Sequence, residues 1–284
     1  MTYQELLREG KDLLEKAGVP DHMLDARLLL EYFGGITRSD LLAHGDSECP
    51  AKVCTEYREA ISRRASRIPI QQITGTQNFM GLDFLVDENV LIPRQDTEVL
   101  VEEIMKDLPG ETRILDLCTG SGCILISLMH YSNACHGVGV DLSTAALGIA
   151  KKNANALTQD EDVIFIQGDL WEGVTGEFDL LVSNPPYIPT YVVKTLMPEV
   201  RLHEPLMALD GKEDGLYFYR RILEGCGGHL AGGARAFFEI GADQGEAVSR
   251  LMEENGFYQV KIIKDYAGLD RVVCGYWKGK ISDV

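Results

Sequence analysis

The chain has 284 residues, 45% of them apolar, which is long enough for a large domain with an appendage and too rich in core-forming side chains for a disordered chain. Forty-four Asp and Glu against 27 Lys and Arg give a formal charge of −17, a field that repels phosphate backbones and disfavours tight non-specific nucleic-acid binding. Seven cysteines without a CxxC pair exclude a complete disulfide framework and the familiar zinc spacings, so no metal site is expected.

The amino terminus, MTYQELLREGKDLLEKAG, is a charged amphipathic pattern rather than a basic segment leading into an apolar run, and no stretch approaches a membrane span. A soluble, cytoplasmic protein with no membrane partner is the expectation. From Thr2 to about Arg67 apolar residues recur at helical spacing, with Leu6, Leu7, Leu13 and Leu14 followed by Leu24, Leu28, Leu29 and Leu30. Gly18, Pro20, Gly34 and Gly35 cut the pattern into short helices. Residues 1–68 therefore read as a small helical bundle. Residues 69–95, with Phe79, Phe84, Val86 and Val90 among turn residues, read as a hairpin linker.

Residues 96–284 alternate strand and helix patterns. The strand candidates are RILDLC, HGVGVD, VIFIQGD, FDLLVSN, ARAFFEIG, YQVKIIKD and RVVCGYW, with amphipathic stretches such as Ser143 to Ala156 and Gly215 to Cys226 between them. Such alternation predicts an α/β fold, a doubly wound parallel sheet covered by helices on both faces. Only YAGLD separates the last two candidates, too short for a crossover helix, so they are expected to form an antiparallel hairpin at one edge.

Open sheets of this kind bind ligands at the carboxyl ends of their strands. The first strand runs into DLCTGSGC, where Gly120 and Gly122 can take positive φ and the next helix aims its amino terminus at the site. A purely structural turn would explain those glycines alone equally well. The second strand closes on Asp141, about 20 residues beyond the turn, the place for a carboxylate that accepts from ribose hydroxyls. No third glycine follows Gly122, which counts against a dinucleotide. The third strand ends in GDLW, offering the Asp169 carboxylate to an adenine amine and the Trp171 ring to its face. Taken singly, these two residues read as a loop acid and a core aromatic. As a set, the strand ends fit S-adenosylmethionine.

The fourth strand leads into NPPYIP. Asn184 precedes a proline and is pushed to an extended conformation, while Pro185 and Pro186 lack N–H groups and have fixed φ. The loop is stiff and presents acceptors. An NH₂ group could donate to the Asn184 side-chain oxygen and the Pro185 carbonyl, and Tyr187 could stack on the planar group that bears it. That arrangement suits transfer of a methyl group to a planar amide or amino nitrogen.

NPPYIP, DLCTGSG, VLIPRQDTEVLVE, QQITGTQNFMGLDFLV and HEPLMALDGKEDGLYFYRRI together resemble the PrmC (HemK) family of protein-(glutamine-N5) methyltransferases, over essentially the whole chain. NPPY alone is shared with adenine-N6 methyltransferases, whereas IPRQDTE joined to it is much more specific. The resemblance implies a helical domain that helps hold a class 1 peptide-chain release factor and a Rossmann-like catalytic domain. It implies that Cys118, Thr119, Gly120, Ser121 and Gly122 contact the methionine part of the cofactor, Asp141 the ribose, Asp169 and Trp171 the adenine side, and Asn184 to Tyr187 the glutamine of a Gly-Gly-Gln loop. Asn184 also borders the cofactor. Two positions depart from the family pattern: Cys118 stands where glycine is frequent, and Lys212 where a second glycine often follows Gly211.

Arg94, Asp96 and Glu98 read either as pocket residues or as a helix start. His203 and Glu204 receive no chemistry. The alternative function is an adenine-N6 nucleic-acid methyltransferase, which would need a basic cleft and base flipping. The net charge and the lack of a basic run count against it, and no stable nucleic-acid binding is expected.

Overall fold

The computed structural model describes residues 1–132, 136–158 and 163–279. The chain forms two compact units: Met1–Thr76 with Met197–His203, and Gln77–Leu196 with Glu204–Val284.

The first unit contains α1 (Tyr3–Lys16), α2 (His22–Gly34), α3 (Arg38–His44), α4 (Ala51–Ala65) and α5 (Ile70–Thr74). Capping boxes start two of them, Thr2 with Glu5 and Thr37 with Asp40, each satisfying otherwise free N–H groups in both directions. Gly35 ends α2 in the left-handed conformation. Leu6, Leu14, Leu29, Leu30, Tyr57 and Ile61 form its core, so the helical periodicity of the sequence maps onto one buried face. The short helix Pro198–His203 completes this unit. Its Glu199 carboxylate accepts from Arg64 at 2.9 Å and Arg67 at 2.7 Å, while Arg64 also donates to Asp25 at 2.6 Å. Asp25, Arg64 and Glu199 are all buried, a setting in which losing one partner strands the others in low dielectric.

The second unit opens with the hairpin β1 (Thr76–Phe79) and β2 (Leu82–Leu85). Phe79 and Phe84 pack edge to face, both fully buried in a cluster with Leu100, Leu125 and Val182, so the hairpin is anchored to the sheet's own core. After α6 (Gln95–Met105) come β3 (Arg113–Leu117), α7 (Cys123–Tyr131), β4 (His136–Asp141), α8 (Thr144–Leu157), β5 (Val163–Gln167) and β6 (Phe178–Ser183). The chain closes with α9 (Tyr217–Gly225), β7 (Leu230–Glu239), α10 (Gly245–Glu254), β8 (Phe257–Lys264) and β9 (Asp270–Trp277).

These strands make a seven-stranded sheet in the order β5-β4-β3-β6-β7-β9-β8. β5 to β7 run parallel in that order, and β9 lies antiparallel to both β7 and β8. The terminal hairpin therefore sits at one edge, with its second strand inserted next to β7. Two apolar layers cover the faces, one around Leu181, Tyr219, Phe238 and Val248, the other around Ile114, Leu125, Leu180 and Phe237. Strand order reverses between β3 and β6, the switch point where such sheets leave a crevice. Among the described residues no helix is long and apolar enough to cross a membrane.

Candidate active site

Register brings the strand ends level. Leu117 lies opposite both Val140 and Ser183, and Asp141 lies opposite Gln167. Ser183 Oγ donates to the Leu117 carbonyl at 2.5 Å, tying the end of β6 to the end of β3. Cys118, Asp141, Gly168 and Asn184 thus leave the sheet on one rim. They border a cavity of about 210 Å³, walled also by Pro93, Arg94, Leu142, Pro205, Met207, Lys212 and Phe218.

The glycine turn is built for close approach. Gly120 has φ +56 and open space where a side chain would stand, while a Cβ on Gly122 would come within 2.7 Å of Ile126 Cδ1. The first glycine leaves room for a ligand, and the second lets α7 pack. The turn is held from both sides: Gly120 N–H donates to Asp141 Oδ2 at 2.9 Å, and Asn153 Nδ2 donates to the Ser121 carbonyl at 2.9 Å. Asp116, fully buried on β3, accepts from Thr119 Oγ1 at 2.6 Å, and its other oxygen has no partner among the described residues. Burial pushes its carboxyl up to about 7.

Cys118 and Lys212 share one property, positive φ, at 64° and 70°. Both positions therefore fall where the backbone is left-handed and an L side chain is strained. Lys212 is held there by its N–H to Asp210 Oδ1 at 2.9 Å and by Thr190 N–H to its carbonyl at 2.8 Å.

The cavity fits S-adenosylmethionine. Asp141 Oδ1 accepts from Ser143 N–H at 2.9 Å and Oδ2 from Gly120, so each oxygen keeps a lone pair for a ribose hydroxyl. Burial raises its carboxyl, and backbone donors from Ser143, Gly120 and Leu142 pull against that rise. Leu142, exposed at the rim, offers an apolar surface to a base. Asp169 also borders the cavity, but its carboxylate accepts from Arg221 Nη1 at 2.9 and 3.1 Å. Trp171 is turned away from the cavity wall. Its indole N–H donates to the Ile222 carbonyl at 3.1 Å, and its ring stacks on His229 with centroids 4.9 Å apart.

Asn184 and Pro186 line the cavity, whereas their neighbours Pro185 and Tyr187 are not among its lining residues. The Asn184 side chain has no hydrogen-bond partner among the described residues, although neighbouring polar groups are committed. Tyr187 is oriented by Glu239, whose Oε1 accepts from its hydroxyl at 3.2 Å. Of Arg94, Asp96 and Glu98, Arg94 alone lines the cavity, donating to both oxygens of Glu204 at 2.6 and 2.8 Å. Asp96 pairs with Arg271 at 3.3 Å, and Glu98 accepts from Met80 N–H at 2.7 Å. His203 lies in the helical unit, where its ring meets the Ser66 carbonyl at 3.2 Å.

The sheet order and the cavity at its switch point mark a class: a methyltransferase with S-adenosylmethionine as methyl donor. Residues 94–199 match the model of the methyltransferase small domain, and residues 5–75 that of the PrmC N-terminal domain. A methyltransferase structure from Pyrococcus furiosus aligns over 77% of this chain and all of its own, with TM-score 0.55 at 19% identity, a likeness of fold. The release factor glutamine methyltransferase of Moorella thermoacetica is 43% identical over 280 residues, 97% of this chain and 99% of the relative. That of Caulobacter vibrioides is 41% identical over 278 residues, covering 97% and 96%. The chain belongs to the release factor glutamine methyltransferase family.

Proposed function

We propose that this protein methylates the side-chain amide nitrogen (N5) of the glutamine in the Gly-Gly-Gln loop of class 1 peptide-chain release factors. The observation that carries the reading is Asn184: an amide on the cavity wall, uncommitted among the described residues, on a loop poor in donors. Its family, with relatives named for this substrate, supports the same choice.

When bound, the cofactor supplies an electrophilic methyl group on a sulfonium. Asn184 Oδ1 and the Pro185 carbonyl accept from the two N–H groups of the acceptor amide and fix its nitrogen for in-line attack. An amide lone pair is delocalised, so accepting both N–H groups favours the pyramidal nitrogen and stabilises its developing positive charge. The N–C bond would form as the methyl–sulfonium bond of the bound cofactor broke, and the methylated nitrogen, hydrogen-bonded to Asn184 Oδ1 and the Pro185 carbonyl, would then lose its surplus proton to solvent. Tyr187 presents its ring to the planar group. Asp141 holds the ribose, Cys118 to Gly122 border the methionine part, and Asp169 stands on the adenine side.

A protein acceptor suits the electrostatics better than a nucleic acid. The chain carries −17, and both cations on the cavity wall are paired, Arg94 with Glu204 and Lys212 with Asp210. A cytoplasmic setting agrees with six described cysteines that are all free thiols. The test is methyl-label transfer to a purified, unmodified release factor beside duplex DNA. Label in the protein alone supports the proposal, and label in DNA alone refutes it.

A further inference from the structure

We propose that Glu239 is a positioning residue for methyl transfer, acting through Tyr187 in concert with Gln244. The proposal rests on the reading that Asn184 to Tyr187 hold the acceptor.

Tyr187 is gripped at both ends from the corner between β7 and α10. Its hydroxyl donates to Glu239 Oε1 at 3.2 Å, and its carbonyl accepts from Gln244 Nε2 at 3.0 Å. Gln244 is fixed in turn, its Nε2 reaching the Gly215 carbonyl at 3.3 Å and its Oε1 accepting from Gly241 N–H at 2.9 Å. The Glu239 backbone is pinned as well, its carbonyl accepting from Tyr219 Oη at 2.6 Å. Glycines close the remaining side. A Cβ on Gly211 would stand 2.7 Å from the Tyr187 carbonyl carbon, and one on Gly215 2.3 Å from its oxygen. Only glycine at these two positions lets the chain lie this close to the Tyr187 backbone.

Stability alone does not account for Glu239. Its carboxylate is buried, Oε2 has no partner among the described residues, and burial raises its carboxyl against Thr97, Arg271 and Tyr187, which draw it down. Arg271 is itself engaged by Asp265 at 3.0 Å and Asp96 at 3.3 Å. A buried, incompletely satisfied carboxylate is unfavourable compared with an apolar side chain of similar size. What it provides here is direction. By drawing the hydroxyl inward it sets the plane of the Tyr187 ring and leaves the ring face as the part available to an acceptor.

The experiment compares wild type, Glu239→Ala, Glu239→Gln, Tyr187→Phe and the Glu239→Ala/Tyr187→Phe double variant. It measures kcat and KM for the acceptor and equilibrium binding of S-adenosylmethionine. Loss of aim should lower kcat/KM about ten- to hundredfold in Glu239→Ala and Tyr187→Phe, as misplacement of a reacting group does. Cofactor affinity should stay within about twofold. Glu239→Gln, which can still accept from the hydroxyl, should recover most of the loss, and the double variant should be no worse than the worse single variant. Wild-type kcat/KM in Glu239→Ala, losses that multiply, or loss of cofactor binding in step with activity would each overturn the proposal. If Glu239→Ala does not fold, Tyr187→Phe and Glu239→Gln decide, because an undiminished Tyr187→Phe is equally contrary. Failure of wild type on a release factor would instead count against the functional reading, and the same series is then run on the acceptor that takes the label.

Discussion

Arg94 grips Glu204 through both carboxylate oxygens, at 2.6 and 2.8 Å, across a sequence separation of 110 residues. The Arg94 side chain is 39% exposed and that of Glu204 only 1%. Burial raises the Glu204 carboxyl, and the Arg94 guanidinium counters it. Pro93 and Pro205, next to the two partners in sequence, line the cavity together with Met207 and Ala208. Arg94→Ala should cost about 1–3 kcal/mol of stability, because it leaves a buried acceptor unpaired. It should also weaken cofactor binding about tenfold. Calorimetric titration together with thermal melts checks both effects.

Asp141 joins the second strand end to the glycine turn while keeping lone pairs for a ligand. Asp141→Ala removes the acceptor for Gly120 and Ser143 N–H groups as well as the proposed ribose anchor. Affinity for S-adenosylmethionine should fall about ten- to hundredfold, the loss of one to two charge-assisted hydrogen bonds. Equilibrium titration measures it. Asp141→Asn, retaining one acceptor oxygen, should lose less.

Asp116 predicts a pH dependence. Its carboxyl sits at about 7 in the folded chain against an ordinary value of 3.8, so between those values the folded state holds a proton that the unfolded state has released. Stability from this group is complete below 3.8, falls as pH rises and is lost above about 7. The fall should amount to a few kcal/mol, on the order of 1.4 kcal/mol for each tenfold gain in proton affinity on folding. Asp116→Asn keeps an acceptor for Thr119 and should flatten the decline, seen as a smaller loss of denaturation midpoint between about pH 4 and about pH 7 at equal ionic strength. An unchanged decline in that variant contradicts the assignment.

Lys212 holds a left-handed conformation with φ 70°. Lys212→Gly should relieve that strain and raise stability by about 0.5–1 kcal/mol, after allowance for the greater freedom of glycine in the unfolded chain. In thermal melts this is a rise of about 1–4 °C. A lower midpoint would mean that the Lys212 contacts to Asp210 outweigh the strain.

Much of this fold was legible because each sheet strand is a short apolar run with its own punctuation. VIFIQGD, FDLLVSN and RVVCGYW became β5, β6 and β9, and Ser143, read as the start of a helix, caps α8 through Ala146 N–H. Strand order was not legible. Periodicity says which face of a strand is buried but not which neighbour it pairs with, so the insertion of β9 between β7 and β8 emerges only in the structure. The same limit applies at the site. Asp141, Cys118 to Ser121 and Asn184 are placed on one rim by strand ends that the sequence itself marks. The sequence left Trp171 between base and core, and in the structure its ring stacks on His229, while the partner of Asp169 is Arg221, far away in sequence. Glu239, Gln244 and the Arg94–Glu204 clamp carry no local signal, because their roles consist of contacts between distant segments.

The most direct test of the central claim is the mass of the proteolytic peptide that carries the Gly-Gly-Gln loop, taken from an unmodified release factor after incubation with this protein and S-adenosylmethionine. One added methyl, localised by fragmentation to the glutamine side chain and absent when Asn184→Ala replaces wild type, is the predicted result. An unmodified peptide with wild type, or a methyl group placed elsewhere that persists in Asn184→Ala, would contradict it.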